Sequence, residues 1–316
     1  MINIVDFSLE HIEKAQELAH VNYNEERVFV PELPVVEMLP NLAAFADNGL
    51  GAAAFDNGEM VGFLCCYKPW DNAFKSTARG TFSPIHAHGA VKENRAMIYK
   101  RLYEAAAKKW VEAKISSHAI ALYAHDNEAI DALFSYGFGL RCIDAIRPME
   151  AIEAKPCEVI DYRKLPKIDS AEITILRSFM WEHMGKSPCF MYYPPSDFDN
   201  WLANADKRNS QIFIACDSNQ PVAFMEIAET GETFATKADD MLNICGAFCF
   251  PEFRGKGIYQ NLLNYAISAL KSEGYARLGV DFESINPTAM GFWSKYFTPY
   301  TKSVVRRIDE NALGMD

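Results

Sequence analysis

"CFPEFRGKGIYQNLL", residues 249–263, decides the fold. An apolar run ends at Pro251, then Arg254, Gly255, Lys256 and Gly257 follow, and an amphipathic segment begins at once. Glycine lets a backbone turn tightly and come close to a ligand. The first N–H groups of a helix have no partner inside it, and the helix dipole favours an anion there. With two cations beside those N–H groups, the residues describe a phosphate cradle. The same letters also suit a plain strand-to-helix turn, so the surrounding sequence has to decide.

Downstream, Ile258, Leu262, Leu263, Ala266 and Leu270 recur at helical spacing, and Gly274 is a stop signal. "YARLGVDFES" alternates like a strand, "NPTAMGFWSKYF" reads as a helix opened by the N-cap Asn286 and by Pro287, and "TKSVVRRID" is a last strand. The first half repeats the order. "IYKRLYEAAAKKWVEAK" is a helix, "SHAIALYAHD" a strand, "NEAIDALFSYGF" a helix capped by Asn127, and "LRCIDAIRPM" a strand. Tyr99 and Tyr259 are 160 residues apart, Asn127 and Asn286 159. Upstream, one hairpin turns at Asn57-Gly58 and another at Ser218-Asn219-Gln220, and the helices "HIEKAQELAH" and "AEITILRSFMWEHM" precede them. The chain therefore reads as two copies of one unit, 1–150 and 151–316, with the boundary near 150 to 157 in "MEAIEAKPCEV". Each copy is expected to be an α/β unit of the α+β type, a mixed and mostly antiparallel sheet flanked by helices.

Length agrees, since 316 residues suit about two domains. No apolar run approaches the ~20 residues of a membrane span, and the N-terminus carries acids where a signal core would lie, so a cytoplasmic protein without membrane contact is expected. The eight cysteines form no CxxC, which points to buried free thiols rather than to a zinc site or a disulfide framework. The net charge of −11 argues against nucleic acid and suits a cationic substrate, though it serves solubility equally. His86 and His88 share a strand face but have no evident third ligand, so no metal is expected. The sequence says nothing of oligomeric state.

The second half resembles the GNAT superfamily of N-acetyltransferases. The residues that carry the resemblance are "CFPEFRGKGIYQNLL", the strand "GVDFESIN", and the helix from Asn286 through Ala289 to Phe292-Trp293. The first half resembles the same fold mainly through "NEAIDALFSYGF", so the resemblance implies tandem GNAT units with a degenerate N-terminal copy. It implies acetyl-CoA as donor and an amine as acceptor. It assigns Gly255, Lys256, Gly257, Ile258, Tyr259 and Gln260, with Arg254 beside them, to the pyrophosphate. It assigns Ala247, Phe248 and Cys249 to the pantetheine arm and the thioester, and it sets Asn286 and Trp293 along the cofactor. The family usually has Gly or Ala where Tyr259 stands.

Amine acetylation needs a neutral amine, hence a base. Asp281 lies five residues before Asn286, and Gly279, Asp281 and Glu283 share one strand face. A carboxylate on an inner strand is desolvated and its pKa rises, which suits a base near neutral pH. Glu283 and Glu226 are the other candidates. Cys249 as a nucleophile has no histidine nearby in sequence, and the family transfers directly. The tyrosine that the family often places seven residues after the asparagine is Trp293 here. The proton for the leaving thiolate then falls to Tyr296, although it matches Gly137 of the first half, to Tyr259, or to solvent. In the first half Arg95 and Met97 stand at the two glycine positions, Leu122 at Asp281 and Phe134 at Trp293, so that half is expected to be a scaffold.

The expected function is acetyl-CoA-dependent N-acetyl transfer to a small-molecule amine by direct attack. The alternatives are an acyl-CoA sensor without turnover, which the absent tyrosine favours, and an acetyltransferase for protein N-termini or lysines. The aromatic loop "SPCFMYYPPSDFDNW" favours a closed pocket over a peptide groove.

Overall fold

The computed structural model describes residues 2–166, 172–204, 207, 209–229 and 231–314. They form two compact units, one made of the chain up to Ile143 together with the residues from Pro299 onward, the other of Asp144–Thr298. In chain order the first carries β1 (Asn3–Asp6), α1 (Ile12–Phe29), α2 (Ala43–Ala46), β2 (Ala52–Asp56), β3 (Glu59–Leu64), β4 (Gly80–Ser83), β5 (His88–Ala90), α3 (Arg95–Glu112), β6 (Ser117–Tyr123), α4 (Asn127–Phe134) and the start of β7 (Gly139–Pro148). The second carries β8 (Ile160–Leu165), α5 (Thr174–Gly185), α6 (Pro195–Ala203), β9 (Gln211–Asp217), β10 (Gln220–Ala228), β11 (Met241–Cys249), α7 (Ile258–Ser272), β12 (Arg277–Glu283) and α8 (Pro287–Tyr296). A two-residue strand, β13 (Thr298–Pro299), leads to β14 (Thr301–Arg307), which lies in the first unit.

Both hairpins turn where the sequence puts them. Asn57 and Gly58 have φ of 50° and 87°, Ser218 and Asn219 φ of 50° and 66°. Positive φ at both central residues is what a two-residue turn needs to match the twist of its strands. α7 buries the stripe Ile258, Leu262, Leu263, Ala266 and Leu270, and Gly274 ends it at φ 98°. The expected helix starting at "AEITIL" is α5; its first expected residue, Ala171, lies outside the described residues.

Two local expectations differ. α4 is capped by Asp126 rather than Asn127, because the Asp126 carboxylate accepts from the Ala129 N–H at 3.1 Å. The aromatic loop is half helix. Pro195 sits in the first turn of α6, where its missing N–H costs nothing, and Trp201 turns inward as that helix's buried residue.

In the first unit β1, β2, β3 and β5 form one antiparallel sheet, and β4, β6, β14 and β7 lie side by side in another. β14 pairs antiparallel with β6 from Thr301↔Tyr123 to Arg307↔Ser117, and on its other edge with β7 at Ser303↔Cys142. The repeat in sequence assigns this strand to the second copy; its hydrogen bonds group it with the first unit. Trp110, Tyr99, Tyr103, Ile98 and Leu102 of α3 fill that unit's core, each such side chain contributing about 1.5–3 kcal/mol of apolar burial. In the second unit the order is β12-β11-β10-β9-β8, antiparallel except for the parallel pair β11–β12. The second unit is thus a mixed, mostly antiparallel sheet flanked by helices, as the sequence leads one to expect, whereas the first divides its strands between two mostly antiparallel sheets. No described helix is long and apolar enough to cross a membrane.

Candidate active site

The site grows from a fault in β11. Glu226 of β10 faces Gly246, but the next residue, Ile227, faces Ile244, so Cys245 is left as a bulge. Bulges bend a strand and re-aim the residues beyond them. On the other edge the parallel pairing with β12 runs from Met241↔Arg277 to Ile244↔Val280 and stops. Beyond that point the strands part. Between them opens a cavity of about 590 Å³, walled by Ala247, Phe248 and Cys249 on one side and by Asp281, Phe282 and Glu283 on the other. A parted strand presents backbone N–H and C=O groups that require a partner.

At one end of the cavity lies the glycine loop. Gly255 and Gly257 have φ of 74° and 83°, a conformation that L side chains rarely adopt. Gly257 is also the N-cap of α7, and a Cβ there would stand 3.2 Å from the Lys155 carbonyl. The helix's first hydrogen bond runs from the Asn261 N–H to the Gly257 carbonyl, so the N–H groups ahead of it have no partner inside the helix. Arg254 is held beside them. Its Nε donates to the Cys249 carbonyl at 2.8 Å, and its guanidinium lies 5.5 Å from the Phe248 ring centre. Positive charge thus stands next to a helix N-terminus, an arrangement that suits a phosphate.

Most of the cofactor residues expected from sequence come together here. Ala247, Phe248, Cys249, Arg254, Gly255, Tyr259, Gln260, Asn286 and Trp293 all line the cavity. Lys256, Gly257 and Ile258 do not. Lys256 extends outward over the Phe253 ring, Gly257 backs against Lys155, and Ile258 is a core residue. Asn286 caps α8, its Oδ1 accepting from the N–H groups of Thr288 and Ala289 at 3.2 and 3.3 Å. Trp293 is buried, edge-on to Tyr259 with ring centres 6.0 Å apart. Tyr259 turns its hydroxyl away to donate to the Phe224 carbonyl at 3.0 Å, and burial pushes its pKa well up.

The four catalytic candidates divide. Asp281 and Glu283 border the cavity; Glu226 and Tyr296 do not. Withdrawal from water, with Asp144, Glu232 and Glu283 adding negative charge nearby, holds the Asp281 carboxyl well above the usual range. Glu226 is buried and bound on both oxygens. Its Oε2 pairs with the Arg177 guanidinium and accepts from Trp201 Nε1 at 3.3 Å, and its Oε1 accepts from Ser210 Oγ at 2.9 Å. A Cβ on Gly246 would lie 2.8 Å from Arg177 Nη1, so this glycine lets the ion pair sit directly beneath β11. Tyr296 packs its ring on Phe292 at 5.0 Å, at the far end of α8. Burial pushes the Cys249 thiol up to about 11, which keeps it protonated near neutral pH. Of the two histidines weighed as metal ligands, His88 has both ring nitrogens engaged, Nδ1 with the Tyr99 hydroxyl at 2.8 Å and Nε2 with the Ala121 carbonyl.

Sequence reasoning pointed to the aromatic loop that holds Tyr193 but missed the rest of the opposite wall. Met180, His183 and Met184 of α5, together with Tyr193 and Thr288, border the cavity. The three α5 residues sit at i, i+3 and i+4, and a histidine in that apolar stripe was the available signal. In the loop beyond α5, Cys189 and Met191 pack on Met184 while Phe190 and Tyr192 stay exposed. Tyr193 stacks on Trp181 with centres 5.4 Å apart.

A bulged strand parting from a parallel neighbour, closed at one end by a glycine loop that opens a helix, agrees with the family comparison. The model of the "Acetyltransferase (GNAT) family" matches residues 176–297. Over this stretch the chain is similar to the GNAT family. GNAT chemistry is acyl-CoA-dependent acetyl transfer. Solved structures resemble the chain at low identity. A GCN5-related N-acetyltransferase from Sphaerobacter thermophilus is 10% identical over 97% of this chain and 95% of its own, with a TM-score of 0.55. A GCN5-related glucosamine N-acetyltransferase region of a fungal multi-domain GH3 beta-N-acetylglucosaminidase is 14% identical over 96% of this chain and 38% of that one, with a TM-score of 0.51. A tandem GNAT protein from the clavulanic acid biosynthesis pathway is 10% identical over 97% and 98%, with a TM-score of 0.45. No curated protein matches the chain.

Proposed function

We propose that the chain is an acetyl-CoA-dependent N-acetyltransferase that moves an acetyl group directly to a small-molecule amine, with 151–316 as the active GNAT domain and 1–150 as a degenerate copy. The observation that carries this reading is the cavity in which a phosphate-ready helix start, a parted strand and two carboxyl groups meet. The first N–H groups of α7 and Arg254 take the pyrophosphate. The open edge of β11 takes the pantetheine amides and polarises the thioester carbonyl where negative charge develops. Asp281 accepts a proton from the incoming ammonium, a task that its raised pKa suits. Cys249 stays a thiol, which favours direct attack over an acyl-enzyme. Tyr296 is absent from the cavity lining and the Tyr259 hydroxyl donates its hydrogen bond to the Phe224 carbonyl, so solvent protonates the leaving thiolate. The carboxyl groups of Asp281 and Glu283 share the cavity lining with Met180, Met184 and Tyr193, a combination that suits a cationic amine with an apolar body.

One observation favours a second reading. Trp293 stands where the family often has the proton-donating tyrosine, as it would in an acyl-CoA sensor. Calorimetry with acetyl-CoA, followed by thiol release against a panel of amines, decides between the two. Binding once per chain with amine-dependent release is expected. Binding without release from any amine would favour the sensor, and no binding would remove both readings.

A further inference from the structure

The acceptor wall holds a histidine that no part of this reaction yet uses. His183 Nε2 lies 3.3 Å from Thr288 Oγ1 and 3.4 Å from Asn286 Oδ1. The hydrogens in this group can be assigned. Asn286 Oδ1 accepts two backbone N–H groups, and its Nδ2 points to Met184 Sδ at 3.3 Å, which fixes the orientation of the amide. Oδ1 therefore only accepts. Thr288 Oγ1 lies 2.7 Å from the same Oδ1 and spends its own hydrogen there. Nothing remains to donate to His183 Nε2, so Nε2 must carry the hydrogen and give it to these oxygens. A neutral imidazole with Nε2–H leaves Nδ1 as a bare lone pair. His183, Asn286 and Thr288 all border the cavity.

Resting on the proposed acetyl transfer, the chemistry has room for such a group. An amine that arrives as an ammonium ion loses two protons before it is an amide, and Asp281 takes the first. The neutral nitrogen then bonds to the thioester carbon, and the C–S bond breaks with its electron pair leaving on sulfur. The new nitrogen, cationic at that moment, still has a proton to lose. We infer that His183 is a catalytic residue that takes this second proton on Nδ1 and returns it to solvent, with Asn286 and Thr288 as the positioning residues that set its tautomer.

The test separates a base from a structural histidine. In the full chain labelled with ¹⁵N-histidine, long-range ¹H–¹⁵N spectra, assigned with His183→Gln, should show His183 protonated at Nε2 with Nδ1 bare. Thr288→Val, which keeps the shape and deletes the hydroxyl, should weaken that preference. His183→Gln keeps an N–H donor for Asn286 but has no base. With tyramine, glucosamine and spermidine as probe amines it should lose about 10²-fold in turnover while acetyl-CoA affinity, read by calorimetry, is unchanged. His183→Ala should be equally slow and regain activity with added imidazole. A hydrogen on Nδ1 overturns the assignment whether or not a probe amine reacts, and so does wild-type turnover in His183→Gln. Loss of acetyl-CoA binding by the unmutated chain would instead remove the acetyl-transfer reading.

Discussion

In the second unit β11 is one strand. It pairs with β12 as far as Ile244, absorbs Cys245 as a bulge and continues to Cys249 with β12 no longer beside it. In the first unit the matching stretch is two strands. β4 pairs in parallel with β6 from Gly80↔Ser117 to Ser83↔Ile120, the chain turns at Pro84, and β5 joins β3 instead. Beyond the pairing, side chains fill the space there. Asn22 lays its amide along β5, giving Nδ2 to the Ala90 carbonyl at 3.1 Å and taking the Ala90 N–H on Oδ1 at 3.0 Å. His88 reaches across to the Ala121 carbonyl of β6. Arg95, Ala96 and Met97, which match the glycine loop, are wound into the first turn of α3. The Arg95 guanidinium is buried, bonded to the Ala90 and Val91 carbonyls and paired with Glu25 and Asp126. A buried backbone group left without a partner costs about 1–3 kcal/mol. In the first unit side chains of the unit itself supply those hydrogen bonds.

The largest expected effect lies at Asp281, which Leu122 matches in the filled copy. Asp281→Asn should lower turnover about 10²–10⁴-fold with acetyl-CoA binding intact. It should also raise the melting temperature at neutral pH. The folded chain holds this carboxyl's proton more tightly than the unfolded chain, where the pKa is about 3.9, so the stability it adds is present at low pH and lost as pH rises through the raised value. An unchanged rate would shift the base to Glu283 or His183. Next, Gly257→Glu should weaken acetyl-CoA binding about 100-fold, through strain at φ 83° and a negative charge beside the cradle. A titration that finds two equivalent sites per chain would break the contrast between the copies outright.

A smaller effect probes the filling. Burial lowers His88 and His118 to about 4. An unfolded histidine takes its proton near 6.5, so stability is complete above that pH and falls between roughly 6.5 and 4, by up to about 3 kcal/mol for each. Denaturant titrations of the chain and of His88→Gln across this window should show the variant losing less. The smallest effect belongs to Tyr296→Phe. A hydroxyl at the far end of α8 should contribute nothing to the maximal rate between pH 6 and 10, and a large drop would restore Tyr296 as the acid.

The glycine loop, its helix, both hairpins and the two-copy order were legible because each is written in local chemistry: turn residues, periodicity and caps. Most residues expected to hold a cofactor also line the cavity, because one contiguous stretch, 247–260, contains most of them. Apart from the aromatic loop that holds Tyr193, the wall formed by α5 was not legible. His183 meets Thr288 and Asn286 across more than a hundred residues, and no local pattern marks that contact. Glu226 looked like a free carboxylate on a strand because its partner Arg177 comes from another helix. The filling of the first unit was visible only as the absence of glycines; that Asn22 imitates a strand edge needed the fold.

β14 has a consequence for how the protein is made. The slot between β6 and β7 is closed by residues 301–307, so a ribosome that has finished Ile143 has made nearly all of the first unit except the strand that completes its sheet. At about 5–20 residues per second the missing strand follows on the order of ten seconds or more later. Throughout that interval the nascent chain carries two unpaired strand edges, and an unpaired edge is a template for joining other chains. A strand synthesised more than 150 residues later is thus the one that ends the aggregation hazard of the first half, and ribosome-bound chains stopped before residue 301 should recruit chaperones where chains that include β14 do not.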